Sequence, residues 1–236
     1  MYSVDIQSPS GEYIPRIIPR LDEVREISFI FEQTVIYLDY QMIEDQSGDE
    51  LILFRFVNPA AGIWRIKVYG EIQVDSSFHI WLPMEGFISD NTFFIRSDPF
   101  TTILNLGCGR YPITVTAYND EDDSLYLDAS RGFTRTDVIK PEIAAPGVNI
   151  VAPSINNGFV EVTGTSAAAA HAAGVAALLF EWAIVRGNQP MLNTLDMKIL
   201  MIRGARRKLD LTYPNRDWGY GILDVYNIFD SLRRNI

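Results

Sequence analysis

The 236-residue sequence contains very little cysteine and histidine, and it has no excess of basic residues. Its single cysteine, Cys108, excludes an internal disulfide framework and a zinc site built from cysteines. Only His79 and His171 could supply an imidazole base. The net charge of −10 argues against a nucleic-acid-binding protein, because binding to phosphates needs a basic surface.

Long apolar runs are also scarce. The longest, residues 167–180, is shorter than the ~20 residues of a membrane span and contains His171. We therefore expect no membrane segment and interpret this run as a helix that is buried on all sides. The first six residues lack the basic flank and apolar core of a signal peptide. With 47% hydrophobic residues, the chain is expected to be globular, with one large or two small domains.

Residues 1–100 show no helical periodicity and consist of short β-branched and aromatic runs between turn residues. Strands are predicted within 26–38 and at 51–57, 63–69 and 77–83. The run 63–69 alternates strictly, with Trp64, Ile66 and Val68 on one face, as in a half-buried antiparallel strand. Many short strands at this spacing predict an all-β sandwich or jelly-roll domain over residues 1–100.

The pattern changes after residue 100. Short apolar strands are predicted at 102–106, 113–118 and 159–162, and a long helix runs from 165 to about 186. Shorter helices are predicted from 193 or 194 to 204 and from 223 to 232. Strands mixed with helices predict an α/β domain over residues 101–236.

One motif in this second part places a serine at the start of the long helix, in the sequence GTSAAAAH at 164–171. The first turn of a helix has unpaired backbone N–H groups, and the helix dipole there favours negative charge. Ser166 is therefore well placed for a nucleophile whose attack creates an oxyanion. A simple N-cap on a core helix is the alternative interpretation.

The motif resembles the serine box of the subtilisin-like serine proteases (subtilases), with Ala167 and Ala169-Ala170 in place of the usual Met and Ser-Pro. Four other segments resemble subtilase segments in the same order, namely PITVTAY at 112–118, SRGF at 130–133, KPEIAAPGV at 140–148 and WGYGILD at 218–224. The resemblance covers residues 101–236 and implies the C-terminal part of a catalytic domain with a partial parallel sheet. Residues 1–100 resemble the jelly-roll insert of one subtilase branch, which includes proteases of spore germination.

The resemblance implies a serine endopeptidase that hydrolyses polypeptides through an acyl-enzyme. Ser166 would be the nucleophile, its own backbone N–H would be an oxyanion donor, and Thr165 would assist at the oxyanion. Five further motif positions are expected to have structural roles, namely Gly164, His171, Gly174, Pro146 and Gly147. Calcium is common in the family, but no motif here supports a calcium site, and no other metal or cofactor is expected.

The aspartate and histidine motifs that precede the serine box in subtilases have no counterpart in this sequence, and neither has the oxyanion asparagine. His171 lies about 140° around the helix from Ser166, which argues against its being the base. His79 lies in a predicted strand without a carboxylate motif beside it, so a surface role is expected.

We therefore expect the isolated chain to be inactive, with the missing groups and the rest of the catalytic domain on polypeptide N-terminal to Met1. One side of the Ser166 helix should then be uncovered, which predicts association or poor solubility. A catalytically inactive subtilase-like binding or scaffolding module is the alternative, although the retention of Ser166 favours an enzyme. A third hypothesis treats residues 1–100 as an autonomous carbohydrate- or protein-binding jelly roll.

Overall fold

A computed structural model of the chain describes residues 2–20, 23–41, 49–70, 77–84, 86–155 and 157–233. The chain divides into two compact units, Met1–Phe93 and Phe94–Ile236.

The first unit is built from strands alone within its described residues. They are β1 (Ser3–Gln7), β2 (Tyr13–Ile17), β3 (Arg25–Ser28), β4 (Val35–Gln41), β5 (Leu51–Val57) and β6 (Arg65–Tyr69). They form two three-stranded antiparallel sheets with the orders β2-β1-β6 and β3-β4-β5. Side chains alternate between the two faces of a strand, so each sheet has one apolar face. The apolar faces of both sheets contribute to one hydrophobic core.

Trp64 packs in this core between two aromatic rings. Its ring centroid lies 5.3 Å from that of Phe29 and 5.2 Å from that of Phe56, both in edge-to-face arrangements. Ile66 and Val68 pack against the same core. The alternation predicted for residues 63–69 is therefore confirmed, while the jelly-roll assignment of this unit stays a prediction.

The strand predicted at residues 77–83 is wrong. Residues 77–84 have no regular secondary structure, and all of them are exposed. A strand is stable only when its backbone groups pair with a neighbour, and no strand among the described residues pairs with this segment.

The second unit combines helices with short strands. Its elements in chain order are α1 (Asn105–Cys108), β7 (Val115–Asn119), β8 (Ser124–Leu125), β9 (Ile143–Pro146), β10 (Ile150–Pro153), β11 (Phe159–Val162), α2 (Thr165–Phe180), α3 (Thr194–Gly204) and α4 (Val225–Arg233). The sheet has the order β8-β7-β9, in which β7 and β9 are parallel, and β10 and β11 form a separate antiparallel hairpin. This mixed α/β arrangement agrees with the predicted class.

The strand predicted at residues 102–106 is also wrong, because its end lies in the short helix α1. Local hydrogen bonds favour this turn. The N–H groups of Gly107 and Cys108 donate to the carbonyl of Leu104 at 2.8 and 3.2 Å, and the hydroxyl of Thr114 donates to the carbonyl of Gly107 at 2.7 Å.

The long helix α2 packs on β7 and β9, and a π-helical turn, Glu181–Val185, extends it. Its buried residues, Ala168, Ala172, Val175 and Leu179, lie on one face of the helix. The expectation of burial on all sides is wrong, since Leu178 is 47% exposed on the other side. The described residues thus leave one side of this helix uncovered.

Together with the π-helical turn, the helix Thr165–Val185 has 21 residues and a mean hydropathy of 1.6, enough by length and composition to cross a membrane. The argument from length, which counted only 167–180, therefore does not exclude a span. The core helix of a soluble protein meets the same criterion, and α2 packs on a sheet.

Helices α3 and α4 complete the second unit. The side-chain oxygen of Asn193 accepts from the N–H groups of Leu195 and Asp196 at 2.8 and 3.2 Å, and the Asp196 carboxylate accepts from the Asn193 N–H at 3.2 Å. This capping box starts α3 where the sequence predicts. Both helices pack with α2 and with Ile143 of β9 in one hydrophobic core.

Candidate active site

Ser166 is the second residue of α2, and it is exposed. Among the described residues, no side chain or backbone group hydrogen-bonds to its hydroxyl. Thr165 begins the helix and is partly buried. The hydroxyl of Ser166 therefore lies at the tip of an apolar helix, beside backbone N–H groups that have no intrahelical partner.

The start of α2 is joined to the end of a parallel strand pair. Tyr118 of β7 lies opposite Pro146 of β9 at the carboxyl ends of both strands. The N–H of Gly147 donates to the carbonyl of Tyr118 at 3.0 Å, and the N–H of Gly164 donates to the carbonyl of Gly147 at 2.7 Å. Ser166 is thus tied through Gly164 to the carboxyl edge of β7 and β9, the edge at which α/β sheets bind ligands.

Both glycines at this junction are needed for structural reasons. Gly164 has a φ of 151°, which L-residues with a side chain rarely adopt. A Cβ on Gly147 would lie 2.6 Å from the Cβ of Ala117 and 2.8 Å from the carbonyl oxygen of Gly164. The helix can therefore approach β7 and β9 this closely only because residue 147 has no side chain.

His171 does not contact Ser166. Its Nδ1 lies 3.1 Å from the carbonyl oxygen of Pro146 and 3.2 Å from that of Ala167. Both partners are acceptors, so Nδ1 carries a proton and donates it. His171 thus binds α2 to the end of β9, which is a structural contact and not that of a base poised on Ser166.

His79 lies in the first unit, in the exposed segment 77–84. Its ring is stacked on that of Trp81, with centroids 5.3 Å apart and an interplanar angle of 15°. Within the described part of the chain, neither His79 nor His171 has a hydrogen bond or an ion pair with a carboxylate.

A buried charged cluster at the start of β9 was not predicted from the sequence. The Oε1 of Glu142 accepts from the Nζ atoms of Lys140 at 2.7 Å and Lys198 at 2.6 Å. Its Oε2 accepts from the backbone N–H of Thr114 at 2.7 Å. Burial lowers the pKa of the Lys140 ammonium, although the hydrogen bond to Glu142 opposes this effect. The cluster joins β9 to α3 and to the segment before β7.

Sequence offers only a weak signal for this cluster, because charged residues beside a proline usually lie at the surface.

The remaining motif residue, Gly174, is exposed, and a Cβ there would meet nothing within 4 Å. Its lack of a side chain is therefore not explained by the described neighbours. No group of three or more His, Cys, Asp or Glu residues that could hold a metal ion occurs among the described residues.

A family model described as "Subtilase family" matches residues 96–221, more than half of the chain. The chain belongs to the subtilase family. The match contains the parallel strands β7 and β9, the serine at the tip of α2 and the segment 218–221, so it agrees with the motifs that the sequence suggested.

Solved and curated proteases resemble this subtilase chain. The structure of the Clostridium perfringens CspB protease matches with a TM-score of 0.89 and 29% identity over 98% of this chain, and the match covers 50% of that chain. The Arabidopsis thaliana subtilisin-like protease SBT6.1 is 28% identical over 48% of this chain. The PII-type proteinase of Lactococcus lactis subsp. cremoris is 33% identical over 41% of this chain.

The subtilase chain spans only part of these relatives. It covers 11% of the Arabidopsis protease and 6% of the Lactococcus proteinase. The likeness to the CspB protease extends over both units of the chain, since it covers nearly all of it.

Proposed function

We propose that this chain supplies the nucleophile half of a subtilisin-like serine endopeptidase active site. Ser166 Oγ gives its proton to a base and attacks the carbonyl carbon of a peptide bond. The amine half of the substrate leaves with a proton, and water then hydrolyses the acyl ester and restores the hydroxyl. The base and its aspartate belong to polypeptide outside this chain.

The exposure of Ser166 at the first turn of α2 is the observation that carries this proposal. A serine that only capped the helix would occupy the N-cap position, whereas that position is Gly164 and Ser166 is the second residue of the helix. The N–H of Ser166 belongs to the first turn, where backbone N–H groups have no intrahelical acceptor, and it is the proposed oxyanion donor. The partly buried Thr165 is the proposed helper at that oxygen.

The absence of a base from the described residues supports the second part of the proposal. His171 donates to backbone carbonyls, and the Ser166 hydroxyl has no imidazole partner within the described ranges. An unassisted serine hydroxyl is a weak nucleophile. The isolated chain is therefore expected to hydrolyse no peptide bond.

The two units also have proposed identities. Residues 1–100 are assigned to a jelly-roll insert, and residues 101–236 to the C-terminal part of the catalytic domain. The two antiparallel sheets with a shared core support the first assignment. The uncovered side of α2 supports a neighbouring part of the catalytic domain as a partner, and the substrate is a polypeptide.

The alternative is a subtilase-like module that binds or scaffolds without catalysis. A scaffold does not need an exposed hydroxyl at the tip of α2, so the geometry of Ser166 favours the enzyme. The reading frame upstream of the Met1 codon discriminates between the two. An aspartate motif and a His-Gly motif there would support the enzyme, and their absence would support the scaffold.

Peptide hydrolysis by the protein expressed from the complete reading frame tests the role of Ser166. We expect cleavage of a denatured protein substrate that is lost in Ser166→Ala. Ser124→Ala, which removes another exposed serine hydroxyl of the same unit, is the matched control and should retain activity. Equal activity of wild type and Ser166→Ala would exclude the proposed nucleophile.

A further inference from the structure

The outer face of the β2-β1-β6 sheet in the first unit is unusual for such an acidic protein. Side chains that point away from the core include Arg65 and Lys67 of β6, opposite Gln7 and Asp5 of β1. Arg16 of β2 lies on the same face. All three basic residues are exposed, and Asp5 is the one carboxylate among the described residues of this face. The face is therefore basic, although the chain has a net charge of −10.

A network of hydrogen bonds fixes the geometry of this face. The Nε of Arg16 donates to the hydroxyl of the buried Ser3 at 2.6 Å, and the guanidinium lies 5.0 Å from the ring centroid of Tyr69. The hydroxyl of Tyr69 donates to the Asp5 carboxylate. Arg16 thus keeps its terminal nitrogens without a partner among the described residues, while its orientation is fixed.

The single carboxylate of the face already accepts hydrogen bonds within the sheet. Asp5 is only 4% exposed, and its Oδ2 accepts from both Tyr69 and Tyr13, the latter at 2.8 Å. Burial raises the pKa of this carboxyl, but the two hydroxyls and the Lys67 ammonium outweigh that effect and lower it. Asp5 therefore stays charged and organises the tyrosines, whereas most of the positive charge of the face faces solvent.

A shallow cavity adjoins the basic residues. It has a volume of about 320 Å³ and is lined by Ser3, Arg16, Ile18 and Pro19. Ile18 is 73% exposed and forms an apolar wall beside the guanidinium of Arg16, whose terminal nitrogens have no partner within the described ranges. Such a combination suits a carboxylate side chain attached to a peptide backbone.

We propose that this face binds an acidic segment of a polypeptide, whose carboxylates pair with Arg16, Arg65 and Lys67. Only the assignment of that segment to the protease substrate rests on the proposed function. Arg65 and Lys67 lie two residues apart on one strand, a separation of about 6.7 Å. Alternate side chains of an extended peptide have the same spacing, and Tyr13 offers an exposed aromatic surface of the kind that peptide-binding sites use.

Charge argues for a short acidic peptide over a longer polyanion. A nucleic acid would meet the carboxylates that give the chain its net charge of −10 outside this face. A peptide with two or three carboxylates would contact only the basic face.

Fluorescence anisotropy of a fluorescein-labelled poly-glutamate peptide tests the proposal, with poly-glutamine as the uncharged probe. The wild-type chain should bind poly-glutamate at ~20 mM NaCl. This binding should be lost at ~0.5 M NaCl, because screening weakens exposed ion pairs. The triple variant Arg16→Gln/Arg65→Gln/Lys67→Gln should bind at least about tenfold more weakly. The control variant Arg55→Gln/Arg186→Gln/Arg203→Gln removes three exposed cations elsewhere and should bind within about twofold of wild type.

Other outcomes would overturn the proposal. These are an absence of poly-glutamate binding by the wild-type chain, or an equal loss in both triple variants, which would reflect net charge alone. Binding of a heparin oligosaccharide but not of poly-glutamate would assign the face to a sulfated polysaccharide. Circular dichroism checks that the variants are folded. If the triple variant is unfolded, the single variants Arg65→Gln and Lys67→Gln replace it, and each must weaken binding of poly-glutamate. Since binding needs no catalysis, the result is independent of Ser166.

Discussion

The Nδ1 atom of His171 lies 3.1 Å from the carbonyl oxygen of Pro146, so the helix that carries Ser166 is bound to the end of β9. The N–H of Gly164 binds the carbonyl of Gly147 one residue further along. Two hydrogen bonds therefore hold the tip of α2 at the carboxyl edge of the parallel strands.

We expect His171→Ala to lower the free energy of unfolding by about 1 kcal/mol, because the Pro146 carbonyl loses its side-chain donor. Urea denaturation of the isolated chain measures this change. His79→Ala removes the other histidine, which is exposed and stacked on Trp81, and should change stability by less than about 0.5 kcal/mol. Equal stability of wild type and His171→Ala would show that the imidazole does not join the helix to β9.

Gly147→Ala should destabilise the chain by about 3 kcal/mol, because the new Cβ would lie 2.6 Å from the Cβ of Ala117 and would push α2 from the sheet. Gly174→Ala is the matched control, since nothing lies within 4 Å of a Cβ there. Alanine favours a helix, so this variant should be as stable as wild type or more stable by up to ~1 kcal/mol. Comparable losses in both variants, measured by urea denaturation, would contradict the close approach at Gly147.

Glu142→Gln should cost about 3 kcal/mol, because it leaves the ammonium groups of Lys140 and Lys198 in a buried site without a counter-charge. Lys140→Met should cost about 1 kcal/mol or less, because Lys198 still pairs with Glu142 and still donates to the Pro112 carbonyl. The opposite ranking of the two variants in chemical denaturation would show that the cluster does not depend on the carboxylate.

The same cluster predicts a pH dependence. Burial lowers the pKa of Lys140 below its ordinary value of 10.5, so the unfolded chain binds more protons than the folded chain between the lowered pKa and 10.5. The free energy of unfolding should therefore rise with pH across this window, and Lys140→Met should lack this contribution. A difference between wild type and Lys140→Met that is constant with pH would rule out a lowered pKa.

The uncovered side of α2 should promote association of the isolated chain. Leu178 of α2 and Ile184 of the π-helical turn that extends it are 47% and 46% exposed, and replacing both by glutamine should shift the chain toward monomer without a large loss of stability. Sedimentation velocity over a range of concentrations measures the shift. The control pair Leu127→Gln/Val138→Gln removes exposed aliphatic residues elsewhere in the same unit and should leave association unchanged. An equal effect of the two pairs would mean that this helix face has no special role.

Sequence patterns predicted those elements whose own residues determine them. The alternation around Trp64 located β6, and the helix predicted from 193 or 194 begins as expected, at the capping box that the structure shows at Asn193. The segment 77–83 has strand-forming residues but lacks a pairing strand among the described residues, which composition cannot reveal. The strand predicted at 102–106 failed because hydrogen bonds between Leu104 and Cys108 favour a turn.

The candidate site was predictable in its motif but not in its supports. The sequence GTSAAAAH located Ser166 at a helix start, because small residues and an apolar run indicate such a junction. The partners of His171 and the three-residue cluster at Glu142 depend on contacts between segments far apart in the chain, up to 56 residues for Lys198. Such contacts leave no local pattern.

Fluorophosphonate labelling tests the central claim most directly, because the probe reacts with a serine only when a base has activated it. We predict no labelling of the isolated chain, labelling of the protein from the complete reading frame, and loss of that labelling in Ser166→Ala. Labelling of the isolated chain, or labelling of the complete protein that persists in Ser166→Ala, would contradict the claim that Ser166 is a nucleophile whose base lies outside this chain.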